Sequence, residues 1–161
     1  MAIEIERKFL VASERWREHV AGTQTLKDGL VARDDDAKVR VRSYGERATL
    51  TVKSRRVGMR REEFEYDIPH ADAEALFRLC GDHVLEKTRH FVPWHGCTWE
   101  IDVYHGLLDG VVIAEVELPS ETSPLVLPDW IGAEVTADPR YKKVNMLRER
   151  LARRRPLQAV G

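Results

Sequence analysis

Cysteine is scarce in this chain. Cys80 and Cys97 stand alone, with no CxxC pair, so a disulfide framework and a thiolate zinc site are excluded. Two lone thiols suit packed side chains in a reducing compartment. Neither sign of charge is in excess: 26 Lys and Arg face 27 Asp and Glu, for a net charge of −1. The basic surplus of a nucleic-acid binder is therefore missing. No apolar run approaches the ~20 residues of a membrane span. Charge begins at Glu4, where a secretory leader would be apolar. A cytoplasmic protein without nucleic-acid or membrane partners is expected. A glycine-rich Walker loop is also lacking, as is any Ser/His/Asp or Cys/His arrangement. Asp34-Asp35-Asp36 has neither the glycine nor the distal glutamate of a calcium loop and reads as a solvated turn.

Charge as such is abundant, and it is ordered. Charged residues make up 33% of the 161 positions and hydrophobic ones 43%, which predicts one domain, 1–161, with a real core. Alternate side chains of a strand share a face. In Ile3-Glu4-Ile5-Glu6-Arg7-Lys8-Phe9, the side chains of Glu4, Glu6 and Lys8 point one way and those of Ile3, Ile5 and Phe9 the other. The pattern returns in Arg40 and Arg42, Glu63 and Glu65, Lys87 and Arg89, Glu100 and Asp102, and Glu115 and Glu117. Like charges at i and i+2 repel. Repeating them strand after strand makes sense if opposite charges, metal ions or a polyanion fill the space between.

Strands are expected at 2–10, 25–32, 38–43, 47–54, 60–68, 84–92, 97–105 and 111–118, with a short one at 134–136. Tyr44-Gly45-Glu46 signals a hairpin. Ser13 caps a short helix over 13–21 that ends at Gly22, and a second helix over 71–80 ends at Gly81. A basic helix spans 143–154, and the tail 156–161 reads as frayed. His90, His95 and His105, with Trp94, Trp99 and Trp130, are expected to serve packing or surface. The resulting fold class is mainly β: about eight antiparallel strands closed into a barrel, charged inside, with helices packed outside.

Such an interior holds acids (Glu4, Glu6, Glu63, Glu65, Glu100, Asp102, Glu115, Glu117, with Glu134 as a further candidate). It also holds bases (Lys8, Arg40, Arg42, Lys53, Lys87, Arg89, with Arg61, Arg140 and Lys142 as further candidates). Carboxylates without His or Cys are hard ligands suited to Mg²⁺ or Mn²⁺. Arginine forks and lysines suit phosphate oxygens. Any single pair is more often a solvated strand surface. Six strands in agreement point to a metal–polyphosphate complex, because an empty lattice of desolvated ions would be costly.

Glu4-Ile5-Glu6-Arg7-Lys8 resembles the ExExK signature of the CYTH superfamily, the triphosphate tunnel metalloenzymes. The resemblance runs on through Val39-Arg40-Val41-Arg42, Leu50-Thr51-Val52-Lys53, Glu63-Phe64-Glu65-Tyr66, Glu86-Lys87-Thr88-Arg89, Trp99-Glu100-Ile101-Asp102, Glu115-Val116-Glu117 and the segment 134–141. It implies an eight-stranded tunnel that binds a triphosphate with Mg²⁺ or Mn²⁺. The compact length and the N-terminal Glu-Ile-Glu-Arg-Lys-Phe-Leu-Val are similar to those of the short bacterial tripolyphosphatases. Two stretches depart from the family pattern. Asp28-Gly29-Leu30-Val31 stands where relatives often carry Gln-Gly-Tyr-Leu, and Tyr141-Lys142-Lys143-Val144-Asn145 differs from the usual Tyr-x-Asn.

The resemblance and the charge pattern together imply hydrolysis of inorganic tripolyphosphate. Lys8, Arg40, Arg42, Lys53, Lys87, Arg89, Arg140 and Lys142 would hold phosphates. Glu4, Glu6, Glu115 and Glu117 would hold the metal, with Glu63, Glu65, Glu100 and Asp102 as further ligands or water-orienting groups. Lys8, Glu4 and Glu6 form the expected catalytic set. Thiamine triphosphate hydrolysis, class IV adenylyl cyclase activity and non-catalytic polyphosphate or nucleotide binding are the alternatives, and a homodimer is compatible with each.

Overall fold

The structure, a computed structural model, describes residues 3–154. The tail expected after Pro156 lies outside them. Nine strands form among the described residues: β1 (Ile3–Val11), β2 (Gly22–Arg33), β3 (Ala37–Ser43), β4 (Ala48–Ser54), β5 (Arg60–Ile68), β6 (Val84–Trp94), β7 (Cys97–His105), β8 (Val112–Glu117) and β9 (Ile131–Glu134). Two α-helices accompany them, α1 (His70–Leu79) and α2 (Lys143–Arg154), with 3-10 turns at Glu14–His19, Gly106–Leu108 and Pro139–Tyr141.

Eight strands close a ring in the order β5-β4-β3-β2-β6-β7-β8-β1, all antiparallel. β1 makes the closure because its length is divided between neighbours. Ile3 to Ile5 pair with β5, and Glu6 to Leu10 pair with β8. β9 lies outside the eight and pairs with the end of β1 at Phe9 and Val11. Tight turns hold neighbouring strands in register. Gly45 at φ 91°, and His95 and Gly96 at φ 45° and 78°, supply the left-handed backbone that two such hairpins need.

Three apolar clusters support the ring. Outside β1, β7 and β8, Phe9, Trp16, Trp99 and Trp130 are fully buried, in edge-to-face contacts such as Trp99–Trp130 at 5.7 Å. Outside β3 and β4, α1 packs Ala73, Phe77 and Cys80 onto Val41 and Ala48. This approach fixes Gly29 of β2, where a Cβ would lie 2.7 Å from Cys80 Sγ and 3.0 Å from Phe77. The third cluster joins Leu85, Tyr104 and Ile113 to Met146 and Leu147 of α2, with Leu10 against it.

That third cluster corrects the expectation of a charged interior throughout. Leu10, Leu85, Tyr104 and Ile113 share the inner face with Lys8, Lys87, Asp102 and Glu115, two residues from each, so one end of the ring is apolar and is covered by α2. Other boundaries also shift. The first helix is a 3-10 turn over Glu14–His19, capped by the Ser13 hydroxyl, and Gly22 begins β2 instead of ending the helix. The late strand lies at Ile131–Glu134 rather than 134–136, because Gly132 packs against the backbone of Leu10, where a Cβ would meet its carbonyl oxygen at 3.2 Å.

Candidate active site

The inner faces of the ring border a cavity of about 730 Å³. β3 contributes Lys38, Arg40 and Arg42, and β4 contributes Lys53. β1 adds Glu4, Glu6 and Lys8, β5 adds Glu63 and Glu65, and β7 adds Glu100. β8 adds Glu115 and Glu117, β6 adds Arg89, and Lys142 borders the cavity just before α2. The alternation read from the sequence therefore does bring these side chains together.

Four expected residues do not reach the space. Lys87 and Asp102 point inward but lie fully buried behind Arg89, as one knot. Lys87 Nζ donates to Asp102 at 2.5 Å, and Arg89 grips the same carboxylate with two bonds at 2.7 and 2.9 Å. Burial opposes ionisation of Asp102, but Lys87 and Arg89 outweigh it and hold its carboxyl below the usual range. Arg140 is on the outside. It is highly exposed and bonded to Asp138, because the 3-10 turn Pro139–Tyr141 aims it at solvent. Glu134 is likewise outside, in a forked pair with Arg7 at 2.8 and 2.9 Å.

Several site residues were not read from the sequence. Asp28 accepts two bonds from Arg42, at 2.5 and 2.9 Å, in the buried wall. It stands alone on β2, without an i+2 partner of either sign to mark it. Lys38 shares the parity of Arg40 and Arg42, so the alternation did carry a signal there. Lys143 enters from a helix, where strand alternation says nothing, yet it borders the cavity beside Lys142. Arg56 completes the missed set, while Arg61, a further candidate of the sequence reading, does border the cavity.

The charges fall into two states. Paired groups form a network: Glu4 accepts from Lys53 at 2.9 Å and from Arg61 at 2.5 Å, and Lys53 also meets Glu63 at 2.7 Å. Lys8 lies 3.1 Å from Glu115 and 3.8 Å from Glu6. Burial pulls the Lys8 ammonium down, but Glu115 and Glu6 outweigh it and raise it above the ordinary lysine range. Unpaired groups show the opposite. Among the described residues Lys38 and Lys143 make no ion pair. Burial, then Arg61, Lys53 and Arg40, bring Lys38 down to about 7. Burial and Lys87 push Lys143 well below the lysine range, although Glu115 and Asp28 oppose this. Arg40 is half engaged, with Nη2 donating to Thr51 at 3.3 Å and lying 3.8 Å from Glu65, and with Nε buried without a partner.

The acids are crowded in a complementary way. Glu6 and Glu117 are cross-strand partners. Burial, then Glu4 and Glu6, push the Glu117 carboxyl up, and burial with a bond to Glu4 does the same to Glu63. An added cation would relieve both, and the donors are all hard oxygens, so the residues fit Mg²⁺ or Mn²⁺. Among the described residues no three His, Cys, Asp or Glu side chains converge on one point. Doublets of carboxylates suit a cation that completes its shell with water and phosphate oxygens, as Mg²⁺ does.

Known proteins resemble the chain along nearly its whole length. The CYTH domain model matches residues 2–149. An inorganic triphosphatase of Acetivibrio thermocellus is 42% identical over 149 residues, covering 92% of this chain and 95% of the relative. One from Nitrosomonas europaea is 36% identical, over 86% and 93%. The crystal structure of an inorganic triphosphatase superposes with a TM-score of 0.64 at 32% identity, over 91% of this chain and 95% of that one.

Proposed function

The chain belongs to the CYTH domain family, and we propose that it is a cytoplasmic, divalent-metal-dependent triphosphatase that cleaves inorganic tripolyphosphate to pyrophosphate and phosphate. One observation carries this reading: a closed ring encloses cations and carboxylates on facing strands of a single cavity. Binding a polyanion alone would need only the cations.

Arg40, Lys38 and Lys143 meet the substrate first, because they have donors or charge to spare. Arg42, Lys53 and Arg89 border the same space from positions fixed by Asp28, Glu4 and Asp102, so they hold phosphates with little reorganisation. Lys142 adds charge at the rim, and Lys87 supports Arg89 from behind. Lys8 stays protonated between Glu6 and Glu115 and acts as a cation on a phosphate rather than as a base. Glu6 and Glu117, with Glu4 and Glu115 beside them, would hold the Mg²⁺ or Mn²⁺, which would neutralise phosphate oxygens and favour attack by water. Glu63, Glu65 and Glu100 orient that water. Burial raises the Glu100 carboxyl despite Arg89 beside it, which suits a group that takes up a proton.

Phosphate release from tripolyphosphate, pyrophosphate, thiamine triphosphate and ATP, each with Mg²⁺, Mn²⁺ or chelator, tests the reading. Turnover should be highest on tripolyphosphate, vanish in chelator and return with metal. Full activity in chelator would overturn it.

A further inference from the structure

Arg56 holds a position that the reaction as described leaves unused. It stands in the turn between β4 and β5, yet it reaches across to β1. Its Nη1 donates to the Met59 carbonyl at 2.8 Å and to the Glu6 carbonyl at 3.3 Å. Its Nη2 lies 3.2 Å from Glu6 Oε1 and 3.5 Å from Glu4 Oε2. The side chain is 20% exposed and borders the cavity. One guanidinium thus spans the two carboxylates of the ExExK strand from the cavity side.

The two carboxylates depend on it unequally. Glu4 keeps Lys53 and Arg61 without it. Among the described residues Glu6 has, besides Arg56, only its 3.8 Å contact with Lys8. Without Arg56, Glu6 and its cross-strand partner Glu117 would form an open acid doublet. We infer that Arg56 is a latch: it neutralises Glu6 while the cavity is empty and moves to a substrate phosphate when tripolyphosphate arrives. The metal site at Glu6 and Glu117 then opens only with substrate present, so the cation enters together with the triphosphate. Arginine suits this exchange, because its planar fork fits carboxylate and phosphate alike. Its two carbonyl bonds keep the guanidinium near the site during the exchange.

This rests on the reading of Glu6 as a metal ligand, and the test separates the two. Mn²⁺ binding is measured by calorimetry and by the free-Mn²⁺ paramagnetic resonance signal, with and without tripolyphosphate. The wild type should bind Mn²⁺ alone weakly. Arg56→Gln should bind Mn²⁺ alone about tenfold more tightly or better, as expected for lifting one close positive charge, and should bind tripolyphosphate alone more weakly. Adding Glu6→Gln to Arg56→Gln should abolish the gain in Mn²⁺ affinity. Arg56→Lys keeps the charge but gives up the fork, and should bind Mn²⁺ alone as the wild type does. It also shows whether a lost carbonyl bond, rather than lost charge, explains a change in Arg56→Gln, and thermal melts of each variant confirm folding. Unchanged or weaker Mn²⁺ binding by folded Arg56→Gln, with normal Mn²⁺ binding beside tripolyphosphate, would overturn the latch alone. No Mn²⁺ binding by any form, even with tripolyphosphate, would overturn the metal site as well.

Discussion

The cations of the cavity wall differ sharply between two regions. In one, Lys87, Arg89 and Arg42 are consumed by Asp102 and Asp28. In the other, Lys38 and Lys143 face the cavity with no ion pair among the described residues, and Arg40 has only Glu65 at 3.8 Å and an Nε without a partner. The same residue types thus do two jobs. The paired set has met its electrostatic needs within the protein, so it stabilises the wall and fixes geometry. The unpaired set stores repulsion that a polyanion removes. If a polyanion binds in this wall, a lack of partners should mark its place better than charge alone does.

Breaking the paired region should have the largest effect. Asp102→Ala leaves the fully buried Lys87 with only Asp28 at 3.7 Å, while Arg89 keeps Glu100 and Glu115, and removing one partner of a buried pair costs about 3–5 kcal/mol. In a chain of this size that corresponds to roughly 6–20 °C in melting temperature. A thermal melt of the ligand-free protein checks it. A shift of a degree or two would mean that water reaches the knot and that the two regions do not differ as described.

The unpaired region should respond in the opposite sense. Lys143→Met removes a buried charge that has no carboxylate at contact distance, so the melting temperature of the empty protein should hold or rise. Tripolyphosphate binding should weaken by about 1.5–3 kcal/mol, the worth of a hydrogen bond to a charged group. Calorimetric titration reads this directly. Lower stability with unchanged affinity would show that Lys143 belongs to the wall.

How far each region was legible follows from periodicity. Strand alternation exposed Glu4, Glu6 and Lys8, or Arg40 and Arg42, because a repeat of two puts them on one face. It could not report depth, so Asp102 looked the same as Glu100, although one is sealed under Arg89 and the other borders the cavity. Nor could it report that a helix covers one end of the ring, since Lys143 and Leu147 follow another period. Arg140 failed for a local reason: the 3-10 turn reverses its direction, and a match of neighbouring residues to a family pattern carries no direction for a side chain outside a strand. Arg56 lies in a turn, where neither period applies. Among the described residues eight strands came through with small shifts at their ends and the ninth was misplaced, while the apolar end of the interior was missed because it is marked by no charge: Leu10 and Ile113 share the parity of Lys8 and Glu115, but only charged positions were followed.

Lys38 gives the smallest effect and the finest measure of the difference between the regions. Its folded value of about 7 lies below the ordinary lysine value of 10.5. Between these two values the folded protein therefore holds fewer protons than the unfolded chain, and stability rises with pH. The cost of the buried ammonium is present in full below about pH 7 and fades as pH climbs toward 10.5. Lys38→Met should accordingly raise the melting temperature at pH 6, and the gain should shrink steadily toward pH 10. The gain is modest because Lys38 is only half-buried, and water and salt screen it. Tripolyphosphate should reverse the shift, since a bound polyanion favours the charged form. Binding at pH 8 should then take up a proton, visible as an enthalpy that varies with the ionisation heat of the buffer. That proton uptake should be lost in Lys38→Met. Equal uptake in the variant would assign the proton to Lys143, the other cation of the unpaired region, and would leave Lys38 outside the phosphate path.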